Sequence, residues 1–392
     1  MIVPPVILAL LCGLVACIWM TRHVRIAREK RGGVLLSPDH PGPESTAPKL
    51  SLIVAAKDEQ DNIESCVRSL LSQEYPDFEV IACNDRGADR TGEILDRIAA
   101  EDARLRVIHV RDLPDGWKGK NHALHLASQV ATGECLFFTD ADCRLTSPRT
   151  LMVAVREMNS RGVGLLSILP NLAMRGFWEN AIQPACSGVM MVWFEPGKVN
   201  DPAKPHAYAN GAFILMRRDA YDAVGGHEAI RGALQEDMTL AQRVKRAGLG
   251  LAVVRSVGLY DVRMYTTLGQ ILRGWRRIFF GSFPTVGKLF LPLLLILLMG
   301  LLPYAAAVVG LTLAAAGVSP TAWWRAAGLT GVAAALLQLS VIYRYYKLIY
   351  ADPRYFWTYP LGGAIMVGIL LAAMAKHLPG AKLTWKGTSY RK

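Results

Sequence analysis

Phe137-Phe138-Thr139-Asp140-Ala141-Asp142 is a short apolar run that ends on two carboxylates one residue apart. Read as a strand, it places side chains i and i+2 on one face, so both acids look into the same space. Carboxylates that face one way repel each other, and the pair is held most easily where a cation or a cation-bearing ligand sits between them. Ordinary turn chemistry is the competing reading, since Asp-x-Asp arises often by chance. Placement at the end of a buried strand favours a site.

The surrounding chain supplies the rest of the sheet. Leu52-Ile53-Val54-Ala55 reads as a buried strand, followed by a helix with Ile63, Cys66, Val67, Leu70 and Leu71 on one face. Phe78 to Cys83 is the next strand, Thr91 to Ala100 the next helix, and Leu105 to Val110 a third strand. Residues 163–168 and 211–216 add further strands, with an irregular segment from Arg175 to His206 between them that is rich in Trp, Phe, Pro and Met. That segment is either core or a surface meeting an apolar acceptor or the bilayer. Strand and helix alternating at this spacing imply an α/β fold, a mostly parallel sheet with ligands at the carboxyl ends of its strands.

Polar clusters fall at those ends. Lys57-Asp58-Glu59 follows the first strand and Asn84-Asp85-Arg86-Gly87-Ala88-Asp89-Arg90-Thr91 the second. Asp89 suits an N-cap and Asp85 a turn; alternatively, Asp85 accepts hydrogen bonds from a nucleoside. Gly119-Lys120-Asn121 opens a helix, where glycine followed by lysine can approach and neutralise a phosphate, although the P-loop spacing is absent. Gln235-Glu236-Asp237 opens another helix, with Asp237 either a capping group or a general base. Gln270-Ile271-Leu272-Arg273-Gly274-Trp275-Arg276-Arg277 can grip a diphosphate or lipid phosphates, or serve only as a basic membrane flank.

Both ends of the chain are far more apolar than its middle, within an overall hydrophobic content of 52% over 392 residues. Met1 to Met20 carries no charge and is followed by Arg22, Arg25, Arg28, Lys30 and Arg31, which argues for an uncleaved anchor with a cytoplasmic C-terminal side. Residues 21–47 read as a basic flank and linker. Leu289 to Val318, Ala326 to Tyr343 and about Thr358 to Ala375 are three more spanning candidates. Four crossings put the basic tail, residues 382–392, on the outside, against its charge, so either one C-terminal segment is re-entrant or interfacial, or the first of these runs turns back near Pro303. The net charge of +12 crowds the flanks of apolar segments, a placement that suits anionic lipid better than nucleic acid. Seven scattered cysteines without a C-x-x-C pair read as reduced core residues.

In order along the chain, Ser51 to Glu59, Asn84 to Thr91, Gly119-Lys120-Asn121, Thr139-Asp140-Ala141-Asp142, Asn210-Gly211-Ala212 and Gln235-Glu236-Asp237 resemble the motifs of family 2 glycosyltransferases of the GT-A fold. The flanking membrane segments and the Trp385-Lys386-Gly387 tail are similar to the branch that glycosylates membrane lipids, such as carotenoid, hopanoid-associated and ceramide glycosyltransferases. Two departures stand out. Ala55 and Asp58 occupy positions where the family often has proline and asparagine, and Gly274 lengthens the Q-x-x-R-W signature to Gln270-x-x-Arg273-Gly274-Trp275, which weakens the case for a processive synthase.

The resemblance implies a GT-A Rossmann-like nucleotide-sugar domain over residues 48–283, an N-terminal transmembrane anchor at 1–20 and a C-terminal membrane region at 284–392. It implies that Asp85 and Glu59 hold the nucleoside, Lys120 faces the diphosphate, Asp140 contacts ribose or metal, and Asp142 ligates a divalent cation, Mg2+ or Mn2+. Asp237 would be the base that deprotonates the acceptor, with Glu236 raising its pKa. Glu236, Gln270, Arg273 and Trp275 complete the expected substrate-binding set. The expected function is inverting transfer of a sugar from a nucleotide donor, UDP-linked, to a membrane lipid, with the catalytic domain on the cytoplasmic side of the membrane. Alternatives are a processive polysaccharide synthase and a non-catalytic nucleotide-binding membrane scaffold.

Overall fold

The computed structural model describes residues 3–32, 35–40, 47–378, 383–385 and 388–390. The chain divides into two compact units: Val34–Ala173 with Met191–Met264, and Met1–Gly33 with Met174–Met190 and Tyr265–Lys392.

The first of these is built on strands β1 (Leu35–Leu36), β2 (Leu50–Ala56), β3 (Phe78–Asp85), β4 (Leu105–Val110), β5 (Cys135–Asp140), β6 (Cys143–Leu145), β7 (Leu165–Leu169), β8 (Asn171–Leu172), β9 (Ile214–Arg217), β10 (Leu251–Ser256) and β11 (Tyr260–Val262). Eight of them form one sheet in the order β1-β10-β7-β9-β5-β2-β3-β4, parallel except where β9 runs against β5 and β7. β2 is apolar almost throughout because both its faces are covered, as parallel strands require. Leu52 and Val54 pack into one core and Ile53 into the other, on the opposite side of the sheet. Each fully buried aliphatic side chain of this kind contributes roughly 1.5–3 kcal/mol.

From β2 the chain goes outward to β3 and β4, then returns to place β5 on the other side of β2. That reversal opens a crevice at the carboxyl ends of β2 and β5, where ligands bind in sheets of this kind. Two sequence expectations change here. β5 ends at Asp140, and Asp142 lies in the tight turn into β6, so the two acids converge through the turn and not through strand alternation. The linker also contains a strand: Leu35 and Leu36 pair with Arg255 and Ser256, and Leu36 is fully buried. Two residues are too short to show a period in sequence.

In the second unit, the helix expected at residues 1–20 extends over Val3–Gly32, absorbing the basic flank. Among the described residues, four helices are long and apolar enough to cross a membrane: Val3–Ala27, Val286–Ala315, Thr321–Leu348 and Pro353–Ala375. The run that one of the two alternatives turned back near Pro303 instead continues as one helix through a π-helical stretch, Ile296–Leu301, with Pro303 in the first turn of the next α-helical stretch, where a missing N–H costs little. A π turn frees carbonyls, and here Met299 O accepts from Trp19 Nε1 (3.1 Å) and from Gln338 Nε2 (2.7 Å). Gly310 and Gly331 bring two of these helices to backbone contact: a Cβ on Gly310 would lie 2.5 Å from Gly328 N, and one on Gly331 2.6 Å from Ala307 N. Small residues at such crossings are how membrane helices pack closely.

The segment expected to be irregular contains a helix, Phe177–Trp193, with Pro184 inside it. Its apolar residues surround the axis, so no one-sided period marked it in sequence. In the tail, residues 383–385 and 388–390 pair as a short antiparallel ribbon, while Lys382, Lys386 and Gly387 lie outside the described residues.

Candidate active site

Lys120 stands at the centre of the crevice. Its Nζ lies 2.5 Å from Asp140 Oδ1 and 2.5 Å from Glu236 Oε1, so one ammonium joins the end of β5 to the start of the helix Glu236–Arg246. Burial alone would depress the lysine, but the charges of Asp140 and Glu236 outweigh it and hold the group well above its usual value. The expected diphosphate lysine is therefore already committed to two carboxylates.

Asn121, 1% exposed, explains how Lys120 reaches them. Its amide donates to Ile230 O (2.8 Å), Arg231 O (3.2 Å) and Ala233 O (3.0 Å), tying the start of helix Gly119–Val130 to the segment that leads into Glu236. The sequence offered Asn121 only as part of a motif; its bonding partners are more than 100 residues away, beyond the reach of local pattern.

Asp237 follows Glu236. Its Oδ2 accepts the Gly211 N–H (3.0 Å) and its Oδ1 the Met238 N–H (2.7 Å), while Gln235 occupies the N-cap position, so Asp237 is not the cap. Burial, and then Glu236, push its carboxyl up to about 7, with Lys120 opposing. Gly211 leaves the room: a Cβ there would stand 3.3 Å from both Asp237 Oδ2 and Lys120 Nζ. A small pocket opens beside these groups, walled by Phe138, Ile214, His227 and Leu240.

Asp142 is also pushed up to about 7, by burial and then by the charges of Asp140 and Glu59. Three carboxylates with Lys120 as their opposing cation leave an excess of negative charge, a donor set that suits a hard divalent cation. Among the described residues no group of three or more His, Cys, Asp or Glu side chains is arranged to enclose a metal. The fit is to an ion completed by water and substrate phosphate oxygens. Glu59 is otherwise used locally: its N–H donates to Thr91 Oγ1 (2.8 Å) and its Oε2 accepts from Asn62 (2.9 Å). Cys66 and Cys143 are buried beside the acids, and burial, followed by the Asp142 charge, pushes both thiols up. All seven cysteines are free.

At the end of β3, Asp85 is 4% exposed and gripped by its neighbour, with Arg86 Nε at 2.7 Å from Oδ1 and Nη2 at 2.9 Å from Oδ2. Arg86 adopts φ 53°, a left-handed conformation that costs a non-glycine residue of order 1 kcal/mol and tends to mark functional loops. Gly119 abuts the pair: a Cβ there would lie 2.5 Å from both Asp85 Oδ2 and Arg86 Nη2. Gly119→Ala should displace this pair without collapsing the core, since only side-chain ends move. We expect nucleotide affinity, measured by calorimetry, to fall roughly tenfold, the worth of one charge-assisted hydrogen bond, with thermal stability almost unchanged. Asp89 accepts from Thr91 N and Gln60 N, both at 3.0 Å, and so closes the helix start from one residue before the N-cap Arg90.

Gln270, Arg273 and Trp275 belong to the other unit. Gln270 closes a capping box on helix Leu268–Ser282: Thr267 Oγ1 accepts the Gln270 N–H and Gln270 Oε1 accepts from Thr266 and Thr267 N–H groups. Arg273 is exposed and Trp275 is buried against Phe279. Gly274, the residue that lengthens the signature, seats Tyr265, whose ring would lie 2.0 Å from a Cβ at that position.

Residues 51–225 match the family model described as glycosyl transferase family 2. A 4,4'-diaponeurosporenoate glycosyltransferase of Staphylococcus haemolyticus is 25% identical over 247 residues, covering 62% of this chain and 64% of that protein. A beta-monoglucosyldiacylglycerol synthase of Trichormus variabilis is 30% identical over 201 residues, 50% of this chain and 42% of that one. The chain thus spans less than two thirds of the length of these curated relatives. A mannosyltransferase from Pyrobaculum calidifontis, solved in complex with GDP-Man and Mn2+, superposes with a TM-score of 0.56 over 95% of this chain and 99% of that chain at 21% identity, a likeness of fold. The motif order, the sheet and the family match converge on residues 51–225 as a domain that matches glycosyl transferase family 2 and has the GT-A fold, accompanied among the described residues by four helices of membrane-spanning length and composition.

Proposed function

We propose that this protein is an inverting hexosyltransferase of the cytoplasmic face of a bacterial-type inner membrane, moving a sugar from a nucleotide donor, UDP-linked, to a membrane lipid. The observation that carries this reading is Asp237: a carboxylate with both oxygens fixed by backbone N–H groups, beside a pocket, and raised to about 7, where a base best combines availability with strength. Asp237 takes the proton of the acceptor hydroxyl as that oxygen attacks the anomeric carbon from the face opposite the departing diphosphate. Lys120 keeps Asp237 from binding its own proton too tightly and fixes Glu236 and Asp140 in place. Asp85 and Glu59 orient the nucleoside. Asp142 and Asp140 would hold a divalent cation, Mg2+ or Mn2+, which supplies Lewis-acid compensation for charge on the leaving nucleoside diphosphate. The lipid acceptor is favoured by the helices of spanning length and by the relatives, whose names describe glycosyl transfer to 4,4'-diaponeurosporenoate and synthesis of monoglucosyldiacylglycerol.

Membranes containing the full chain, given labelled UDP-sugars and Mn2+ or Mg2+, should move label into the lipid-extractable fraction, and Asp142→Asn should reduce that transfer sharply. Label recovered in a high-mass polymer would instead establish a processive synthase. Metal-dependent nucleotide binding without transfer or hydrolysis would establish a scaffold.

A further inference from the structure

We propose that His227 reads a hydroxyl group of the bound substrate, its Nε2 acting as a neutral hydrogen-bond acceptor in a tautomer fixed by Tyr221 and Ser128. This inference rests on the function proposed above and assigns that site a specificity residue.

His227 is 2% exposed, yet it lines the same pocket as Lys120, Glu236 and Asp237. Phe138 meets its ring edge-to-face at 4.9 Å, which fixes the imidazole plane. The tautomer follows from counting protons. Ser128 Oγ donates its one proton to His125 O (2.7 Å), so it is an acceptor toward Tyr221, whose hydroxyl lies 3.1 Å away. The phenol thereby spends its only proton on Ser128. The same phenol oxygen accepts the backbone N–H of His227 (3.0 Å) and lies 2.9 Å from His227 Nδ1. With no phenol proton left to give, Nδ1 must be the donor, and Nε2 carries the lone pair.

Protonation does not undo this assignment: burial, and then the Lys120 charge, pull the imidazole down to about 3. A neutral lone pair beside an ammonium disfavours cations, and beside Glu236 and Asp237 it disfavours anions. The group that satisfies it is an uncharged O–H donor. Phe138, Ile214 and Leu240 line the same pocket, so a hydroxyl-bearing ring carbon finds an apolar wall next to one polar contact. Both the transferred sugar and the acceptor offer such a hydroxyl.

The test is equilibrium binding to the full chain in nanodiscs, which needs no turnover. Nucleotide sugars and their monodeoxy analogues form one arm, and the acceptor lipid and its deoxy analogue the other. Wild type should bind one hydroxylated ligand about tenfold more tightly than the analogue lacking that group, and His227→Phe, which keeps the ring contact with Phe138, should bind the two equally. The arm in which the difference disappears identifies the source. Tyr221→Phe retains the imidazole but releases the Nδ1 proton from its partner, and should reduce the same preference in part. Unchanged affinity for the nucleoside diphosphate in both variants reports an intact domain. Preferences identical to wild type in His227→Phe, across every analogue, would overturn the proposal. Transfer measured on the same wild-type sample decides the enzymatic reading separately: a protein that discriminates the hydroxyl but transfers nothing removes that reading and leaves His227 as a binding determinant.

Discussion

Asp237→Asn should lower sugar transfer by about 10²- to 10⁴-fold, the usual contribution of a positioned base, while nucleoside diphosphate binding stays near wild type. Asparagine keeps the shape and its one oxygen can still accept the Gly211 N–H, but its NH2 then faces the Met238 N–H, so it is the retained nucleoside diphosphate binding that separates lost proton acceptance from a disturbed site. The pH dependence gives the assignment a second readout. Wild-type kcat/KM should rise with pH to a plateau above about 7, and the variant's residual rate should lack the Asp237 contribution to that limb. Stability moves the opposite way. The folded pKa is raised above the ordinary aspartate value of about 3.9, so the native state binds the proton more tightly than the unfolded chain does. Stability associated with this group is greatest at low pH and declines as pH rises from the unfolded value to about 7. Asp237→Asn should flatten that part of the thermal-stability profile. Full turnover in the variant would remove Asp237 from the base role.

Lys120→Met should be nearly as damaging to turnover by a different route. Its charge opposes the elevation of both Asp237 and Asp142, so its loss drives both carboxyls to higher pKa and leaves the base protonated at neutral pH. At pH 7 we expect transfer to fall by about 10²-fold and the acid limb to move toward higher pH, with partial recovery of rate in alkaline buffer. Folding should suffer less, because Lys120 and Asp140 keep 34% and 36% of their side-chain surface in solvent, which screens the pair. A rate loss without movement of the limb would show that Lys120 acts only by holding Asp140 and Glu236 in position. Lys120→Arg offers a control that restores charge while changing geometry.

The sheet was legible because a strand buried on both faces has to be apolar along its length. Leu105–Val110 fell where it was expected, and β2 and β3 differed only at their ends. The acids were legible as residues but not as an arrangement. Nothing local in Gly119-Lys120-Asn121 reveals that Lys120 will meet Glu236, 116 positions later. Asp85 read as either a turn former or a nucleoside acceptor, and its bidentate pairing with the adjacent Arg86, whose backbone is left-handed, has no local sequence signal. His227 carried no signal at all: one histidine after two glycines acquires meaning only when Tyr221, Ser128 and Phe138 surround it.

Trp19 and Gln338 both donate to Met299 O, so the first membrane helix is secured by a bond whose acceptor is made 280 residues later. During synthesis the N-terminal helix therefore emerges before every strand of the eight-stranded sheet, and the sheet before the carbonyl that the helix is to meet. Only after Met299 has emerged can that indole N–H find its carbonyl. The order of emergence is thus N-terminal helix, then sheet, then the remaining long apolar helices, with the last closing a connection begun by the first.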